Sequence, residues 1–130
     1  MIKIIVDATP IISALIGGTS REILFDPTYE FLTTEFTINE VKKYLPYIGK
    51  KSKILLEQIE ESLELLPLTI YTKGFYSDKI EKARQLIEYI DKKDIDILAL
   101  ALKTSNPLWS EDTHFEKISQ INLLKTKDFF

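Results

Sequence analysis

Residues 2–18 read IKIIVDATPIISALIGG. The first five, IKIIV, are β-branched around a single lysine and have the length of a strand. The run is too continuously apolar for a half-exposed strand, so it reads as a buried, parallel one. Asp7 follows at its carboxyl end. TPIISALIG then reads as a helix, with Thr9 as its N-cap and Pro10 at the first helical position. Gly17 and Gly18 close that helix.

The alternation continues to the far end of the chain. Residues 19–26, TSREILFD, read as a short helix, with Thr19 and Glu22 at capping-box spacing. YEFLT (29–33) is a strand, and TINEVKKYL (37–45) a helix that stops before Pro46. Residues 50–66 form a helix whose stripe is Leu55, Leu56, Ile59, Leu63 and Leu66, closed by Pro67. LTIY (68–71) is a strand, Gly74 marks a loop, and 77–90 form an amphipathic helix capped by Ser77. PLWS (107–110) is a short strand, DTHFEKI (112–118) a short helix, and INLL (121–124) a last strand or the remnant of one. Strands alternating with helices predict an α/β fold, a three-layer sandwich around a mainly parallel sheet. No repeat or long linker divides the chain, so residues 1–130 are expected to be one domain.

Composition narrows the chemistry. The chain has 130 residues, no cysteine, one histidine (His114) and a net charge of -3. Thiolate metal sites, cysteine nucleophiles and any site that needs two imidazoles are excluded. The charge argues against a general polyanion binder. The apolar run at the N-terminus ends at Asp7, too short for a signal peptide. No apolar segment approaches the ~20 residues that span a bilayer. The expected location is the cytoplasm, with no membrane partner.

Four acids fall where a site is expected. Asp7 and Asp112 each follow the carboxyl end of a strand, the edge at which open α/β sheets bind ligands. Glu40 is read in the first turn of its helix. Asp91 and Asp94 stand three apart at the start of another, IDKKDIDILALAL (90–102). Each acid also has a purely structural reading. TINE is a capping box that would tie Glu40 to the backbone of Thr37, and DKKD has the same spacing. Asp112 can cap the helix that follows it, and Asp7 can be a turn residue. Taken together, the structural readings need four chain regions to place an acid on one sheet edge by coincidence. The helix after Asp94 leaves almost no polar face, so its start points the acids toward the interior. Converging carboxylates there resist ionisation. A hard divalent cation, Mg²⁺ or Mn²⁺, relieves both burial and repulsion.

KIIVDATPIISALIGG, TINEVKKY, DKKDIDILALAL and PLWSEDTHF resemble, in order and spacing, the motifs of PIN (PilT N-terminus) domains. The resemblance spans essentially the whole chain and is strongest toward small stand-alone prokaryotic members, including VapC-like toxins. It implies a metal-dependent nuclease acting mostly on RNA, often a homodimer, with an antitoxin protein as a partner where the chain is a toxin. By position it assigns Asp7, Glu40, Asp94 and Asp112 as catalytic metal ligands, with Asp91 as a further one. Thr9 stands where the family commonly has asparagine or serine. With Ser110 it would support the acids. His114 stands where the family often has another acid. Asp96 has no counterpart and reads as incidental.

Residues 41–53, VKKYLPYIGKKSK, hold Lys42, Lys43, Lys50, Lys51 and Lys53 and no acid, with Tyr44 and Tyr47 between them. Starting directly after Glu40, the segment reads as a nucleic-acid contact: lysines for phosphates, tyrosines for unpaired bases. The alternative is a solvated hairpin whose tyrosines pack on the core. Arg21 is a further phosphate-contact candidate. Phe75, Tyr76, Phe129 and Phe130, read at loops or the terminus, hint at a dimer face. Two other functions stay open. One is a catalytically degenerate PIN domain that binds nucleic acid or protein, consistent with Thr9 and His114. The other is a flavodoxin-like nucleotide or phospho-acceptor domain, which would want a lysine on a late strand end that PLWSED does not supply.

Overall fold

The computed structural model describes residues 1–87 and 91–130. Strand β1, Ile2–Val6, is buried in its second half because both of its faces are covered. Ile4 and Val6 enter one core cluster with Phe31 and Trp109, and Ile5 enters another with Leu32 and Leu108. This is the period-two alternation of a sheet with no wet face. Strands β1, β2 (Tyr29–Thr34), β3 (Leu68–Tyr71), β4 (Leu108–Trp109) and β5 (Leu123–Leu124) form one sheet. Its order is β3-β2-β1-β4-β5, and every pairing is parallel.

Helices α1 (Ala8–Leu15), α2 (Ser20–Leu24), α3 (Glu35–Ser52) and α4 (Leu56–Leu65) supply the first cluster. The second is built by α5 (Lys73–Tyr76), α6 (Ile80–Ile87) and α7 (Ile95–Thr104), with Phe115 and Ile118. The result is a three-layer α/β sandwich. The chain leaves β1 toward β2 and β3 on one side and returns to β4 and β5 on the other. The switch point therefore lies between the carboxyl ends of β1 and β4, where such sheets bind ligands.

Several local expectations change. Asp7, not Thr9, caps α1, accepting from Ala8 N at 2.8 Å, which leaves Pro10 third in the helix. A proline there is tolerated because first-turn amides have no helical partner. Thr19 is helical and makes no side-chain cap, so the capping box at α2 does not form. Helix α3 starts at Glu35, earlier than expected, because Thr34 caps it: its Oγ1 accepts from Thr37 N at 2.8 Å. Thr37 is therefore inside the helix, and Glu40 stands in the second turn, not the first. The helix also runs through Pro46 instead of stopping before it. An interior proline costs about 3 kcal/mol. Burial of Ile48 beyond it, in the same cluster as Val41 and Leu45, offsets roughly 1.5–3 kcal/mol of that.

Lys53, at φ 60°, ends α3, so the helix expected from residue 50 begins only at Leu56. A side chain at Gly49 would meet Ile54 O at 3.1 Å and Ile59 Cδ1 at 3.3 Å, which is why this elbow carries a glycine. Leu55 and Leu56 of the expected stripe stay exposed, while Ile59, Leu63 and Leu66 are buried. Gly74 lies inside α5 and not in a loop. The helix expected over 77–90 is a 3₁₀ turn, Ser77–Lys79, followed by α6, and Ser77 makes no side-chain cap. Residues 88–90 of that expectation lie outside the described residues.

Candidate active site

The carboxyl ends of β1 and β4 are joined by side chains. Asp7, just past β1, accepts from Ser110 Oγ at 2.7 Å, and Ser110 Oγ accepts from Asp112 N at 3.0 Å. Asp112 Oδ1 accepts from His114 N at 2.9 Å, opening the 3₁₀ turn Thr113–Lys117. Another 3₁₀ turn, Lys92–Asp94, leads into α7. Asp91 caps it, accepting from Lys93 N at 2.9 Å, and Asp94 closes it. Glu40 projects from α3 with Lys43 Nζ 2.9 Å from Oε1. Asp7, Glu40, Asp91, Asp94 and Asp112 all line one hollow of about 250 Å³, with Thr9, Phe36, Tyr44 and Lys93 also on its wall. Ser110 is fully buried behind it.

A family model described as PIN domain matches residues 5–126. The chain belongs to the PIN domain family. Its fold is also that of solved structures. VapBC2 from Rickettsia felis, bound to a DNA fragment from its promoter, is 14% identical, with a TM-score of 0.73 over 95% of this chain and 98% of the other. VapBC-1 from nontypeable Haemophilus influenzae is 18% identical, with a TM-score of 0.66 over 95% and 98%. A toxin-antitoxin complex from Klebsiella pneumoniae is 20% identical, with a TM-score of 0.62 over 90% and 93%. No curated protein matches. Among the described residues of this PIN domain, no helix is long and apolar enough to cross a membrane.

The electrostatics of the PIN domain's hollow follow from crowding. Burial pushes the Asp94 carboxyl up to about 7, and the charges of Asp7 and Asp112 push the same way. The His114 contact works against them. Burial also raises Asp7, while its bonds from Ser110 and Ala8 oppose the rise. His114 Nδ1 lies 3.1 Å from Asp112 Oδ1 and 3.4 Å from Asp94 Oδ2. Asp91, Asp94 and His114 each offer a ligand atom, and these lie within 4.8 Å of one another. The donor set fits a divalent cation, which would take the place of the proton that burial and repulsion hold on Asp94.

Of the other candidate residues of this PIN domain, Lys43 pairs with Glu40 and Tyr44 is on the wall of the acidic hollow, while the rest lie away from it. Lys50 is ten residues along α3 from Glu40, about 15 Å down the axis. Lys42 faces a separate hollow between α3, α4 and β3. Lys51 sits with its Nζ 5.8 Å from the centre of the Tyr47 ring. Arg21 is exposed on α2 and does not line the acidic hollow. Tyr44 and Tyr47 are exposed and not packed in the core. Tyr76, read from sequence at a loop and as a hint of a dimer face, ends α5 and is 1% exposed. Asp96 is not incidental: it is buried and accepts from Tyr76 OH at 2.6 Å. Its place among the apolar residues of α7 was the available signal that it needed a partner.

Proposed function

We propose that this PIN domain is a metal-dependent endoribonuclease. The observation that carries the reading is the meeting of carboxylates from four chain regions in one hollow, crowded enough to hold a proton on Asp94 near neutrality. Asp7, Glu40, Asp94 and Asp112 would hold Mg²⁺ or Mn²⁺, with Asp91 and His114 beside them. A bound ion supplies Lewis acidity and a water of lowered pKa for attack on a phosphodiester. Ser110 fixes the rotamer of Asp7, and the amide of His114 fixes Asp112. Lys43 holds Glu40 in place. No side-chain nucleophile is needed, in keeping with a chain that has no cysteine. The imidazole in the donor set favours Mn²⁺ over Mg²⁺.

The likeness to VapBC and toxin-antitoxin structures supports a toxin role with an antitoxin protein as partner. A homodimeric state and a cytoplasmic location go with that reading. A second reading, a PIN domain that binds without cutting, rests on the resemblance, which implies an acid at the position of His114; here an imidazole lies 3.1 Å from Asp112 Oδ1 instead. The test is cleavage of single-stranded RNA with Mn²⁺, with and without EDTA, beside calorimetric titration of Mn²⁺ and Mg²⁺. The expected result is EDTA-sensitive cleavage, tighter Mn²⁺ binding, and loss of nearly all cleavage in a folded Asp94→Asn variant. RNA cut equally fast by that variant would overturn the assignment.

A further inference from the structure

A second hollow, of about 270 Å³, opens beside the acidic one. Lys73, Arg84, Lys92 and Lys93 line it, and it shares Phe36 and Lys93 with the acidic hollow. The two are therefore neighbours across one wall. Lys92 and Lys93 belong to the same 3₁₀ turn as Asp94, and Lys73 starts the helix that follows the carboxyl end of β3. Both hollows thus face the sheet edge where ligands are received.

The charge here is concentrated and mostly uncommitted. Arg84 is paired with Glu81 at 2.7 Å, but Lys73, Lys92 and Lys93 have no ion-pair partner among the described residues. The carboxylate in the lining, Asp96, is buried and takes the Tyr76 hydroxyl. Phe36, on the shared wall, keeps 36% of its surface exposed. An exposed ring between a cationic hollow and an acidic one offers a stacking face to a base whose flanking phosphates lie on either side.

We propose that this cationic hollow binds the backbone phosphate next to the one held at the acidic hollow, with the intervening base stacked on Phe36. The substrate track is then single-stranded, since a base must be free of its pair to lie on the ring. The proposal rests on the RNA reading above. It moves the nucleic-acid contact from Lys50 and Lys51, at the far end of α3, to the entry of α7 and the start of α5.

The experiment measures fluorescence anisotropy of a labelled single-stranded RNA oligonucleotide with the full chain in EDTA, where no metal-dependent cleavage occurs, across a range of salt. Lys73→Gln with Lys92→Gln should weaken binding about tenfold and lower the salt slope by about 0.7, the value for one phosphate contact on a single strand. Phe36→Ala should weaken binding by about tenfold with the slope unchanged. Lys50→Gln with Lys51→Gln should change neither. Circular dichroism melting identifies variants that remain folded. Unchanged affinity and slope in the Lys73 and Lys92 variant, while the parent binds and cuts RNA, overturns this proposal and leaves the nuclease reading standing. A parent that neither binds nor cuts RNA overturns both.

Discussion

Asp94 keeps its proton up to about pH 7 because it is buried beside Asp7 and Asp112. Its ordinary value is 3.8, so between about pH 4 and 7 the metal-free fold binds a proton that the unfolded chain has released. By linkage, this stabilisation is full below about 3.8 and is lost as pH rises through about 7. The melting temperature in EDTA should therefore fall from pH 5 to pH 8, and Asp94→Asn should flatten that fall. An identical slope in the two proteins would show that crowding at Asp94 does not govern it. The four acids were legible in sequence because three of them stand next to an element end and Glu40 lies one turn inside. Lys93 and Phe36 were not, because what matters for them is which turn faces which, and spacing along the chain does not carry that.

Helix boundaries turn on which hydroxyl reaches which amide. Thr34 caps α3 and its Oγ1 lies 2.7 Å from Thr37 Oγ1, while Thr19 caps nothing. Thr34→Val should cost about 1–2 kcal/mol, and Thr19→Ala should stay within about 0.5 kcal/mol. Urea denaturation of both variants checks the contrast, and equal losses would refute it. The strands were readable from short runs rich in β-branched and aromatic residues, although the last two shrink to Leu108–Trp109 and Leu123–Leu124. The span of α3 was not, because Pro46 signals a stop that the burial of Ile48 overrides.

At the scale of the molecule, β3 is an edge strand with Ile70 48% exposed. Beside it, the hollow of about 480 Å³ between α3 and α4 is lined by Ile38, Leu45, Leu56 and Leu63. An apolar face of this kind at a sheet edge favours association. Light scattering at micromolar concentration should give about twice 15.1 kDa. A mass equal to a single chain would refute the homodimer. The bond from Ser110 to Asp7 spans 103 residues of sequence. On the ribosome, Asp7 emerges early and waits for most of this sequence before its partner and Asp112 arrive. A nascent or truncated chain that stops short of residue 110 carries Asp7, Glu40, Asp91 and Asp94 but neither Ser110 nor Asp112, so the acidic hollow is complete only once the chain has passed β4.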